Sequence, residues 1–143
     1  GGPHTAKVSV IIVDVWRNTG FAMLIYLAAL QDVPTSLREA ASLDGAGRIR
    51  TFWHIELPTI SPSILFNVIL TAIGAWQIFE SIIVLTDGGP GDSTRSVSMY
   101  LYERAFQSFD MGYAAAISMV LFVIILATTG LVMSTQKRWV HYG

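Results

Sequence analysis

The sequence predicts an all-α fold: a polytopic membrane protein with three transmembrane helices, a polar helix-turn-helix between the first two, and a further helix along the outer interface. Three observations predict it. The chain of 143 residues is 52% hydrophobic and only 13% charged, with a mean hydropathy of +0.53, a membrane rather than a soluble balance. Three long apolar runs, residues 8–30, 63–85 and 112–133, are each long enough for a bilayer core at ~1.5 Å rise per residue. Between the first two lies a polar stretch, residues 36–62, punctuated like a pair of short helices. Neither an internal repeat nor a low-complexity tract divides the chain.

The same composition excludes several functions. A net charge of −1 without a basic patch gives nucleic acid nothing to bind. With no cysteine, disulfides, thiolate metal sites and cysteine nucleophiles are ruled out. His4, His54 and His141 are too far apart in sequence to suggest a metal site. The chain carries no nucleotide-binding glycine-rich motif and no carboxylate pair placed for catalysis. No cofactor and no enzymatic reaction are expected of it.

The first run, Val8 to Leu30, follows a short polar leader, Gly1 to Lys7. It contains Asp14, Arg17 and Asn18, and Gly20 is expected to loosen it. Charges at that depth are costly and face a bundle interior or a water-filled path. The i, i+3 spacing also lets Asp14 and Arg17 satisfy each other, and the two readings are compatible. Asp14, Arg17, Asn18 and Phe21 are spaced i, i+3, i+4, i+7 and share one face. Thr71, Gly74, Ala75 and Ile78 repeat that spacing on the second run. The two runs are antiparallel, which puts Asn18 and Ala75 within ~5 Å in depth.

The polar stretch reads residue by residue. Pro34 stops the first run. Ser36 and Glu39 have the spacing of a capping box, so a helix is expected from Leu37. Asp44-Gly45 breaks it, since glycine accepts the left-handed conformation that ends helices. A second helix is expected from Arg48 to Glu56, closed by Leu57-Pro58, with Pro62 opening the next run.

That second run, Ser63 to Leu85, holds Asn67, Thr71, Gln77, Glu80 and Ser81, and its Gly74-Ala75 pair permits close helix packing. Trp76 is read as a lipid-facing filler in preference to a pathway wall. Thr86 to Gly91 is a tight turn. Thr94 to Phe109 follows as an interfacial helix with aromatic character, capped by Asp92 or Ser93, so that residues 86–111 form an outer loop and helix. The third run, Gly112 to Met133, has small residues suited to helix packing, and Lys137, Arg138 and Trp139 form an interfacial stop. Arg38, Arg48, Arg50, Lys137 and Arg138 fall on one side of the membrane, Lys7, Arg95 and Arg104 on the other. This bias points the polar stretch and the C-terminus to the cytoplasm.

Glu39-Ala40-Ala41, Asp44-Gly45-Ala46, and Ile55 with Leu57-Pro58 resemble the EAA loop of ABC importer permeases. The resemblance implies a cytoplasmic helix-turn-helix that docks on an ATPase subunit through Glu39, Ala40, Ala41, Asp44, Gly45, Ala46, Leu57 and Pro58. Leu85 to Pro90, Thr94, Tyr102 to Phe106 and Gly112 to Ala116 are further similar to the carbohydrate-type permeases whose relatives serve maltose, other oligosaccharides or glycerol 3-phosphate. The partner-type permease of those systems usually carries Trp-Asn after its EAA loop. Trp76-Gln77 here implies the other member of the pair. The family has at least six spans in this domain, so the chain is expected to be a C-terminal part of a longer protein.

The resemblance implies partners as well: ABC ATPase subunits, a second and different permease, an extracytoplasmic solute-binding protein and the lipid bilayer of a bacterial or archaeal inner membrane. It also places solute near the membrane middle between the two helices flanking the loop. Arg17, Asn18, Phe21, Thr71, Ala75 and Ile78 are therefore the candidate substrate path. Asn18 and Thr71 can donate and accept hydrogen bonds, Arg17 can only donate, and Phe21 can stack on a sugar ring. The alternative is that these residues merely pack and satisfy one another. Two other classes of function remain: an ATP-independent channel or secondary transporter coupled through Asp14 and Arg17, and a membrane-anchored interaction protein.

Overall fold

A computed structural model describes residues 2–142, and every regular element among them is helical. Helix α1 spans Pro3–Gln31 without a break at Gly20. The expected leader is thus helical from Pro3 onward, because a proline at the first helical turn has no amide left unsatisfied. Helix α2 is Thr35–Leu43 and α3 is Arg48–Thr59. Helix α4 is Ser61–Trp76 and α5 is Glu80–Leu85. Helix α6 is Val97–Tyr102, running on as a π-helical turn over Glu103–Gln107. Helix α7 is Met111–Trp139, with Asp110 Oδ1 accepting from Tyr113 N at 3.2 Å as its cap. The basic pair Lys137 and Arg138 lies in the last turn of α7 rather than beyond it.

Two helices, α1 and α7, are each long and apolar enough to cross a membrane. Helices α3 and α4 reach that standard only as a pair bent by 65°, where the sequence predicts a third independent span. The expected continuous helix from Ser63 to Leu85 is corrected: α4 ends at Trp76 and the chain re-enters helix at Glu80. The reason lies outside the run. The Ser96 hydroxyl donates to the Ile78 carbonyl at 2.7 Å and the Ser98 hydroxyl to the Trp76 carbonyl at 3.4 Å. Backbone carbonyls released by a break within apolar surroundings need such partners, and α6 supplies them.

Three smaller expectations change. Ser36 caps nothing: Pro34 occupies the N-cap position, α2 starts at Thr35, and the expected capping box with Glu39 does not form. Pro34, at φ −56° and ψ 130°, is extended, and the chain turns helical only at Thr35, the Pro34 carbonyl accepting from Leu37 N–H at 3.1 Å. Leu57-Pro58 does not close α3. Phe52–Glu56 widens into a π turn, in which Leu57 N–H reaches back to the Phe52 carbonyl, and the helix continues through Pro58 to Thr59. The outer helix begins at Val97 rather than Thr94 and is capped by Ser96, whose oxygen accepts from Met99 N at 3.1 Å. Thr94 is instead buried in the turn, with its hydroxyl on the Gly89 carbonyl at 3.0 Å and 2.7 Å from that of Thr86.

Helix α4 packs on both α1 and α7, and α5 returns to α1. Val10, Ile82 and Met99 form the buried cluster, with Ile78 and Phe79 against it. The core is thin. In the most apolar window of α1, and in that of α7, only 6% is buried within the chain. Trp16, Leu24, Met119 and Val123 stand exposed, apolar surface of a kind that soluble monomers seldom present in continuous patches.

Candidate functional site

The sequence-predicted residues fall into two places joined by α1. The first is the α2–α3 hairpin. Glu39 and Ala40 are exposed on α2 while Ala41 is buried, 5% accessible. Gly45 takes φ +74°, the left-handed conformation expected of it. Its N–H donates to the Ser42 carbonyl at 3.0 Å, and Ala46 N–H donates to the Ala41 carbonyl at 2.9 Å. These two bonds close α2 as a Schellman motif. Asp44 and Gly45 are exposed at the tip, Ala46 is half-buried, and so are Leu57 and Pro58 at the far end of α3. Leu43, Ile49 and Trp53 are 89%, 78% and 60% exposed, an apolar surface on the hairpin, with the Trp53 ring edge-to-face on Phe52 at 5.8 Å.

Arg38 fixes the hairpin. Its Nε donates to Glu56 Oε1 at 2.7 Å, and its Nη2 donates to the Leu30 carbonyl at 2.7 Å. One guanidinium thus ties α2 to α3 and to the last turn of α1, where a cation also meets the negative end of the helix. Sequence reasoning used Arg38 only for orientation and gave Glu56 no role. Their separation of 18 positions carries no periodic signal. At the other end of α3, the chain after α7 crosses the bend: the His141 N–H donates to Ser61 Oγ at 2.7 Å, and that hydroxyl donates to the Pro58 carbonyl at 2.6 Å.

The second place is a cavity of about 190 Å³ between α1 and α4, lined in part by Asp14, Arg17, Asn18, Phe21, Thr71 and Ala75. The two faces read from spacing therefore meet. Ile78 lies apart: it lines a neighbouring cavity of about 390 Å³ with Arg17, Gly74 and Glu80. Arg17 Nη1 donates to Glu80 Oε2 at 2.9 Å, and Nη2 reaches Asp14 Oδ1 at 3.4 Å. Asn18 Nδ2 donates to the Asp14 carbonyl at 2.8 Å and to Asp14 Oδ2 at 3.1 Å. Among the described residues, the Thr71 hydroxyl and the Asn18 side-chain carbonyl take no protein partner, and both residues line the cavity. Two further contacts escaped the sequence reading. Asn67, buried and lining the cavity, donates to the Tyr26 hydroxyl at 2.8 Å. Trp76 donates from its indole N–H to Thr128 Oγ1 at 3.2 Å, joining α4 to α7 instead of only filling space.

Beyond the break, the lobe around α6 is aromatic, and its carboxylates outnumber its two arginines. Arg104 lies 5.1 Å from the Tyr100 ring centre and 5.3 Å from that of Tyr113, and Arg95 pairs with Glu103 and Asp92. Hydrogen bonding to Tyr113 and to Arg104 holds the Tyr100 phenol below the usual tyrosine range.

Residues 1–141 match the family described as "Binding-protein-dependent transport system inner membrane component". The chain is 42% identical over 142 residues to a probable ABC transporter permease protein YesP of Bacillus subtilis, covering 98% of this chain and 46% of that one. It is 43% identical over 123 residues to a putative ABC transporter permease protein ORF1 of a Caldicellulosiruptor species, covering 86% and 88%. It is 40% identical over 129 residues to the trehalose/maltose transport system permease protein MalF of Thermococcus litoralis, covering 90% and 43%. The chain thus spans less than half the length of two of these relatives.

Proposed function

The chain belongs to the family of binding-protein-dependent transport system inner membrane components, and from that membership we propose that it is part of the permease subunit of a carbohydrate ABC importer. The observation that carries the reading is the connection between its two sites. Arg38 bonds α2 to α3 and to the end of α1, and α1 is one wall of the polar cavity. A push on the exposed hairpin therefore has a route to the cavity wall through the Arg38 bonds to α3 and to the end of α1.

In this reading residues 36–62 are the EAA loop. Glu39 offers a carboxylate to a cationic group of the ATPase, while Leu43, Ile49 and Trp53 supply apolar contact. Three spans, α1, α4 continued by α5, and α7, carry the loop and the C-terminus on the cytoplasmic side. A binding protein delivers solute from outside, a second and different permease forms the other half of the path, and hydrolysis takes place in the ATPase. The cavity suits a hydroxylated solute: Asn18 and Thr71 offer hydrogen-bond groups, and Phe21, 54% exposed, offers a ring face. The named transport of trehalose and maltose by the Thermococcus relative agrees with a sugar.

The test is purification of the full-length protein with its neighbours. Co-purification of an ATPase, and uptake that stops when that ATPase is inactivated, are expected. Uptake that continues without the ATPase would point to a channel or secondary transporter.

A further inference from the structure

Arg17 is the one cation of the polar cavity, and on its own it would draw anionic solutes. The structure leaves it no free charge. One guanidinium faces two carboxylates, Glu80 at 2.9 Å and Asp14 at 3.4 Å, so the cluster carries one negative charge more than it has positive. Glu80 is there only because the helix is broken. On an unbroken helix from Ser63 to Leu85, Glu80 would stand nine positions beyond Thr71, about half a turn away from the cavity face. The break after Trp76 turns it back toward Arg17, and the Ser96 hydroxyl on the Ile78 carbonyl helps to hold that geometry. Arg17 lines both cavities, and Glu80 lines the second of them, so the Arg17–Glu80 pair stands beside both. The groups left free, the Thr71 hydroxyl and the Asn18 carbonyl oxygen, are uncharged.

We propose that Glu80 is a specificity-determining residue: paired with Arg17, it makes the path select uncharged hydroxylated solutes and reject anionic ones. This rests on the reading of the cavity as the solute path. The cavity, about 190 Å³, is below the roughly 300 Å³ at which pockets for drug-sized ligands begin. It accommodates one sugar unit at a time, so a charge on that unit lies close to Asp14 and Glu80. Like charges at such range repel, and more so where a bound solute displaces water.

The test uses the complete transporter in proteoliposomes, with its ATPase, second permease and binding protein. A neutral disaccharide that it carries is compared with the same disaccharide oxidised at its reducing end to the aldonate. One binding protein serves all variants, so its own selectivity cancels when variant and parent ratios are compared. The parent is expected to favour the neutral sugar. Glu80→Gln is expected to raise aldonate uptake relative to neutral uptake roughly tenfold, the scale of one charge contact of this kind. Glu80→Asp, which keeps the charge, is expected to return the ratio toward that of the parent. Asp14→Asn is expected to move it in the same direction as Glu80→Gln and carries the test if Glu80→Gln fails to insert. An unchanged ratio in an inserted Glu80→Gln protein that still carries the neutral sugar overturns the proposal. Equal uptake of both sugars by the parent does so too. Absence of ATP-driven uptake of any sugar by the parent would instead overturn the transport reading.

Discussion

Residues in the cavity and at the hairpin differ in what their loss should do. The Thr71 hydroxyl and the Asn18 side-chain carbonyl are free to bond solute, and a typical hydrogen bond contributes about 0.5–1.5 kcal/mol. Asn18→Ala and Thr71→Ala are each expected to weaken solute affinity by roughly three- to tenfold in the complete transporter. If both keep the affinity and preference of the parent, this face is packing alone. Arg38 acts differently, since it bonds no solute. Arg38→Ala strands Glu56, whose side chain is 19% exposed, and frees the Leu30 carbonyl. The expected cost is about 1–3 kcal/mol, read as faster proteolysis within residues 36–62 at unchanged solute affinity. Arg38→Lys is expected to recover only part, because an ammonium lacks the fork that reaches both partners. Unaltered protease resistance in Arg38→Ala would show that the hairpin is held by other contacts.

Elements show where sequence reading succeeds and where it stops. Local rules were enough for α1, α7 and the α2–α3 turn: long apolar runs, and a glycine at the point where φ reaches +74°. They were also enough to pair the two cavity faces, because helical spacing alone puts Arg17 with Asn18 and Thr71 with Ala75. The break after Trp76 was not legible. No glycine or proline marks residues 77–79, and the hydroxyls that satisfy its carbonyls come from Ser96 and Ser98 on another helix. Glu80 as the partner of Arg17, 63 positions away, was hidden for the same reason. The capping box failed through competition, since Pro34 had already set the start of α2. At this scale the account makes a topological prediction. Cysteine placed at Gly89 is expected to react with an impermeant reagent from outside, and cysteine at Gly45 or His141 only after permeabilisation. Labelling of position 45 in intact cells would contradict the orientation.

The whole molecule looks like a part built to be surrounded. Its core is small, and α1 and α7 leave most of their apolar windows uncovered within the chain. Lipid and neighbouring subunits are what such surfaces require. The central claim is that the α2–α3 hairpin transmits ATP-driven motion to the cavity beside α1, and Gly45→Asp tests it most directly. A Cβ at Gly45 meets nothing within 4 Å. The left-handed backbone costs a side chain roughly 1–2 kcal/mol, and aspartate is among the residues that tolerate it best. The variant should therefore insert and assemble, while its new carboxylate changes the exposed tip beside Asp44. Solute uptake and ATP hydrolysis are measured together on the complete transporter at matched expression. The account predicts that hydrolysis continues while uptake falls to a small fraction of the parent's; normal uptake by a normally inserted Gly45→Asp protein would contradict it.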